Sequence, residues 1–125
     1  MSYIIEVLPD EPIILMDVAD FNVVKDLQPY FDEILALLEA QTEKVALITD
    51  ARHIKITFSD IVEGLAKITQ GNILASHPNT GQIIVVSGSV LSRMAAKALS
   101  QSQYGGVSVL IFETVEEALA AARAG

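Results

Sequence analysis

The residues able to do chemistry gather in a few short stretches. In 48–61, ITDARHIKITFSDI, the side chains Asp50, Arg52 and His53 lie close together. An Asp and a His so placed have the makings of an acid/base pair. The competing account is an Asp50–Arg52 ion pair closing the loop, with His53 at the surface. Ser59 follows at the expected start of a helix. A phosphate there would meet the positive dipole end and unpaired backbone N–H groups. Against that, Thr57, Ser59 or Asp60 would serve as an ordinary N-cap, and Asp60 would repel a neighbouring phosphate. In 87–93, SGSVLSR, the backbone around Ser87 and Ser89 could cradle an anion with Arg93 in support. Turn and cap chemistry explains the same serines. The stretch has neither a Gly-x-Gly-x-x-Gly fingerprint nor a P-loop. No Gly-x-Ser-x-Gly elbow supplies a nucleophile. His53 and His77 are the two histidines, with no His-Glu-x-x-His pairing, so no metal site is expected. No catalytic residue and no cofactor is assigned.

Period and punctuation place these residues on a scaffold. Residues 3–8 (YIIEVL) and 13–18 (IILMDV) read as strands joined by the turn-like Pro9-Asp10-Glu11-Pro12, an antiparallel hairpin. Residues 19–26 read as an irregular bridge with Asp26 as N-cap. A helix to about residue 41 follows, carrying Leu27, Phe31, Ile34, Leu35 and Leu38 as its apolar stripe. Pro29 fits its first turn, where the missing N–H has no partner to lose. VALITD (45–50) reads as a buried strand. Residues 58–70 read as a helix with a Thr57/Asp60 capping box, stopped by Gly71-Asn72. QIIVVS (82–87) is a continuous apolar strand, as a sheet buried on both faces requires. Residues 90–103 read as a helix with Leu91, Met94, Ala95, Ala98 and Leu99 inward. VSVLIF (107–112) is the last strand. Thr114 and Glu117 make a second capping box for a final helix, with Val115, Ala118, Leu119 and Ala122 inward. The expected architecture is α/β. An N-terminal hairpin precedes four βα units, giving a mainly parallel five-stranded sheet, about four helices and the first strand at an edge.

Composition bounds the partners. The chain has 125 residues, 51% of them hydrophobic, which suits one domain over 1–125 with a real core. There is no cysteine, so no disulfide, thiolate metal site or cysteine nucleophile. No apolar run approaches the ~20 residues that span a bilayer. The first residues lack the basic region of a signal peptide, and a cytoplasmic protein is expected. Residues 1–50 carry 11 Asp/Glu and 2 Lys/Arg, a net of −9; residues 51–125 carry 5 and 6, a net of +1. Lysines and arginines are too scattered for a phosphate backbone, so nucleic-acid binding is not expected.

Three features together resemble the STAS/SpoIIAA-like superfamily, across nearly the whole chain. They are the strand ending "TDAR", with its Asp-x-Arg; the apolar "IIVVS" preceding "VLSRMAAKAL"; and the C-terminal "VLIFETVEEALAAAR", similar to that group's Phe-x-x-x-x-Glu-Ala-Leu ending. The group includes anti-sigma-factor antagonists and uncharacterised bacterial single-domain proteins. The resemblance implies a regulatory role exercised through protein–protein contact. In the antagonists, a serine at the start of the second helix, after an Asp and before a Gly, is phosphorylated by a partner kinase. Ser59 falls near that place, but Phe58 precedes it and the next glycine is Gly64. The chain therefore looks closer to the uncharacterised branch.

Ligands of parallel α/β sheets bind beyond the carboxyl ends of the strands. That position shortlists Asp17, Asp50, Arg52, His53, Ser87, Ser89 and Glu113. A second candidate is an apolar contact surface of Phe21, Val23, Val24 and Tyr30, facing a protein partner or a second copy. The resulting expectation is a non-enzymatic regulatory or scaffold protein that binds a protein partner, a second copy of the chain in a homodimer being one such partner. Two alternatives stand beside it. One is a module for a small apolar ligand or lipid, prompted by the mean hydropathy of +0.44. The other is a phospho-regulated switch at Ser59.

Overall fold

The strands IILMD and VALITD are apolar on both sides because both of their faces are covered. The computed structural model describes residues 3–18, 23–53, 57, 59, 78–90, 93–94, 97 and 109–124. Its elements are β1 (Ile4–Val7), β2 (Ile13–Asp17), α1 (Val23–Glu39), β3 (Val45–Asp50), β4 (Thr80–Val86), β5 (Val109–Phe112) and α2 (Val115–Ala124). The five strands lie in the order β1-β2-β3-β4-β5. β1 pairs antiparallel with β2, and the other three pairings are parallel. The expectation of a mainly parallel sheet is thus corrected to a mixed one, with the antiparallel strand at an edge. Two helices stand among the described residues where about four were expected.

One residue of a strand points up and the next points down, so β2 and β3 each feed two cores. On one face, Ile14, Met16, Val18, Val45 and Leu47 pack with Tyr30, Ile34 and Leu38 of α1. On the other, Ile13, Ala46, Ile48, Ile84 and Val86 pack with Ala118 of α2. Each fully buried aliphatic side chain stabilises the fold by about 1.5–3 kcal/mol. The two cores together therefore specify the register of β2 and β3, since a one-residue slip would exchange the two sets.

α1 begins at Val23, inside the stretch read as irregular, so Asp26 is an interior residue and not its cap. Val23 and Val24 disfavour helix only weakly, about 0.5 kcal/mol each, which a helix of 17 residues absorbs. Pro29 consequently lies inside the helix. Its missing N–H leaves the carbonyl of residue 25 without its usual donor.

The link between β1 and β2 closes through Leu8 N–H to the Ile13 carbonyl (3.0 Å) and Ile13 N–H to the Glu11 carbonyl (2.9 Å). Asp10 sits there at φ 61°, the left-handed region that a short polar side chain tolerates. Thr114 caps α2, and its expected partner Glu117 meets it at the first turn. Thr114 Oγ1 accepts the Glu117 N–H at 3.1 Å and donates to Glu117 Oε1 at 3.1 Å. Val115, Leu119 and Ala122 pack against the core beside the buried Ala118, as the stripe requires.

The predicted helix over 58–70, its capping partner Asp60 and most of the predicted helix over 90–103 lie outside the described residues. Ser59 is helical, as are Val90, Arg93, Met94 and Lys97. Met94 was expected inward and is 52% exposed. It stands one turn beyond Val90, which is 73% exposed, and a helix presents residues four apart on the same side.

Candidate functional site

The carboxyl ends of β2, β3 and β4 are level. Asp17 is the register partner of Asp50, Asp50 of Val86, and Val86 of Phe112. The ladder runs one residue further at each strand. Val18 N–H donates to the Asp50 carbonyl (3.2 Å), Ala51 N–H to Val86 (2.9 Å) and Ser87 N–H to Phe112 (2.9 Å). The shortlisted Asp17, Asp50 and Ser87 therefore sit on rigid backbone. Asp17 and Asp50 also share one face, because equivalent positions of paired strands do.

Asp50 is buried and fully engaged by its own loop. Its Oδ1 accepts the Arg52 N–H at 3.2 Å and Arg52 Nε at 2.9 Å; its Oδ2 accepts Arg52 Nη2 at 2.8 Å. The first bond turns the chain, as an Asx turn does. The other two make a two-point carboxylate–guanidinium pair, among the stronger charge-assisted contacts. The Asp50 side chain is 9% exposed and that of Arg52 41%. The hydrogen bonds from Arg52 hold the Asp50 carboxyl below its usual range, against the opposing effect of burial, and His53 adds a smaller pull. Arg52 is raised in turn by Asp50, with Asp17 contributing. A carboxylate held in this way is a poor proton acceptor, which weakens the acid/base reading of Asp50 and His53. His53 is exposed beside the turn.

The 87–93 stretch is a turn followed by a helix start. The Ser87 side chain is buried, and its Oγ accepts the Ser89 N–H at 3.1 Å. The Ser89 carbonyl accepts the Arg93 N–H at 3.2 Å, the first bond of the helical turn at Val90. Arg93, the expected support for an anion, donates instead to Glu113 Oε1 at 2.9 Å. Among the described residues no group of three or more His, Cys, Asp or Glu is placed to hold a metal ion. His77 lies outside them.

Ser59 and Thr57 are exposed. Of the expected apolar contact surface, Tyr30 alone has a described side chain, and it is not exposed. Tyr30 is 7% exposed and belongs to the core. Its ring meets Tyr3 edge-on at 5.2 Å, and its hydroxyl lies 3.3 Å from Thr49 Oγ1. Val23 and Val24 belong to the backbone of α1, their side chains are outside the description, and Phe21 is outside it altogether. Tyr30 lies one turn before Ile34 and two before Leu38, so it shares the helix face that those residues turn to the sheet.

Three structural contacts have no local sequence signal. Asn79 Nδ2 donates to the carbonyls of Leu38 and Gln41, each at 3.0 Å, and so caps the end of α1 from the loop before β4. Arg123 donates to Glu11 through Nε (2.6 Å) and Nη2 (3.2 Å), tying α2 to the hairpin link. The third is the Arg93–Glu113 pair. In each case the partners are at least 20 residues apart in sequence.

No protein-family model and no curated protein matches the sequence. Among solved structures, the chain is similar to an uncharacterised protein of the DUF3478 family with a SpoIIAA-like fold, from Shewanella loihica PV-4. The TM-score is 0.59 at 12% sequence identity, over 97% of this chain and 92% of that one. The chain has a SpoIIAA-like fold. The likeness carries the fold and assigns no residue a role. No described helix is long and apolar enough to cross a membrane.

Proposed function

We propose that this SpoIIAA-like chain is a non-enzymatic regulatory or scaffold protein that acts by binding a protein partner. The observation that carries the reading is the state of Asp50. At the strand end where an α/β protein would place a catalytic base, the carboxylate is buried and committed on both oxygens to Arg52. The corner is built to hold shape. The SpoIIAA-like fold supports a role in regulation or interaction.

The test has two parts. Crosslinking in the protein's own cells, followed by purification, is expected to recover one defined partner at fixed stoichiometry, with the contact mapped by crosslinked peptides. Small-molecule turnover by the purified chain that disappears in the His53→Ala variant would overturn the reading. A stoichiometric apolar molecule retained in native mass spectrometry would favour the ligand-binding alternative.

One observation favours a phospho-regulated version: Ser59 is exposed and helical. Under that version, phosphopeptide mapping finds Ser59 modified, and Ser59→Glu weakens partner capture. An unmodified Ser59 across growth and stress conditions would leave the scaffold reading without a switch.

A further inference from the structure

α2 is held to the molecule more lightly than α1. All four strand pairings are complete without it, so its release breaks no ladder hydrogen bond. Its sequence, VEEALAAARA, offers small side chains to the sheet. Ala118 is its one fully buried residue, while Val115, Leu119, Ala121 and Ala122 are half-buried. α1, by contrast, buries Tyr30, Ile34 and Leu38. A helix of 10 residues is also too short to persist alone in water, where roughly 12–15 are needed for even marginal stability. Its order therefore depends on its seat and on its ends.

Both ends are fastened by polar contacts. Thr114 and Glu117 close the first turn. Arg123, in the last turn, reaches Glu11 in the hairpin link with two hydrogen bonds. That link is held in shape by the left-handed Asp10 next to Glu11. The Arg123 and Glu11 side chains are 54% and 32% exposed, open to screening by salt. Beneath α2 lie Ile13, Ile48, Ile84 and Val86, each at most 1% exposed and drawn from three adjacent strands.

We infer that α2 is a latched cover: it opens as a unit while the sheet stays folded, the Arg123–Glu11 pair is its latch, and opening uncovers the aliphatic face of Ile13, Ile48, Ile84 and Val86. Regions with few buried contacts open at lower free energy than the core they rest on. This inference stands apart from the partner reading, since it concerns the chain alone.

Hydrogen exchange of the intact chain, read residue by residue by NMR, tests it. Amides of α2 beyond its first turn are expected to be protected at least tenfold less than those of β3. Arg123→Gln and Glu11→Gln should each speed α2 exchange severalfold, leave β3 and β4 unchanged, and fail to add in the double variant. Added salt should speed α2 in the parent chain and not in Arg123→Gln. Leu119→Ala, which loosens the seat while keeping the latch, should also act on α2 alone. Equal protection of α2 and β3 would overturn the inference, as would variants that speed exchange throughout the sheet or leave α2 unmoved.

Discussion

Gly81 lies against the backbone of Val45: a Cβ built on Gly81 would stand 2.9 Å from the Val45 carbonyl oxygen and 3.2 Å from its carbonyl carbon. The approach coincides with the irregular register between β3 and β4 at Val45 and Leu47. Both obstructing atoms are backbone, in a strand fixed on two faces, so neither can turn aside. Gly81→Ala should destabilise the fold by about 1–3 kcal/mol, the usual cost of overpacking. Gly88→Ala is the control, because nothing lies within 4 Å of a Cβ there. Urea midpoints of the two variants should differ clearly, with Gly88→Ala close to the parent.

Asn79 should matter through α1. Its side-chain amide supplies two carbonyls at the end of that helix, and the same residue's carbonyl accepts the Val45 N–H at 2.9 Å. Asn79→Ala removes the two side-chain bonds and keeps the backbone one. With a net of about 0.5–1.5 kcal/mol per hydrogen bond, the loss should be roughly 1–3 kcal/mol by chemical denaturation. Exchange of the α1 amides nearest Leu38 should rise more than exchange of β2. A uniform change would mean that Asn79 contributes only to global stability.

What could be read from the sequence followed its local periods. Val45–Asp50 was bounded correctly because five apolar or β-branched residues run up to a charged one, and α2 because Thr114 and Glu117 mark its start. The start of α1 was missed because Asp26 looks like a cap, whereas the helix begins earlier at residues whose propensities are weak guides. Tyr30 reads as exposed only if the spacing is overlooked: it precedes the inward Ile34 by four residues, and residues four apart share a face wherever the helix starts. At the site, Asp50-x-Arg52 was legible as an ion pair because its partners are two positions apart. Asn79–Leu38, Arg93–Glu113 and Arg123–Glu11 were not, because only the tertiary fold brings them together.

Tyr30 should titrate far above an ordinary tyrosine. Burial pushes its phenol up to about 12, with the Thr49 hydroxyl opposing. The folded chain therefore keeps this proton at pH values where the unfolded chain, with a phenol near 10, has lost it. Protonation stabilises the fold below about pH 10, and that contribution declines as the pH rises toward about 12, by roughly 2–3 kcal/mol in all. Absorbance of phenolate should show a late-ionising step belonging to Tyr30. It should vanish in Tyr30→Phe, whose stability should fall less steeply across the same window. A parent chain in which all tyrosines ionise together near pH 10 while still folded would contradict the buried placement.

Acid should act through Asp50. Hydrogen bonds from Arg52 are the largest cause of its lowered pKa, and burial opposes them. In the unfolded chain the same carboxyl takes its proton near pH 3.9. Below that pH the unfolded state binds a proton that the folded state still refuses, so stability falls as pH falls through the depressed folded value. Above about pH 4 to 5 the contribution is complete and flat. Asp50→Asn removes the titrating group and should lower stability at neutral pH while flattening the acid limb. Arg52→Gln leaves Asp50 buried without its cation. It should shift the Asp50 titration upward, measured by carboxyl-carbon NMR, and move the acid unfolding midpoint to higher pH. His53→Ala, which touches only the smaller pull on Asp50, should move that midpoint less. If Arg52→Gln and His53→Ala displace it equally, the two-point pair is not what holds the carboxylate charged.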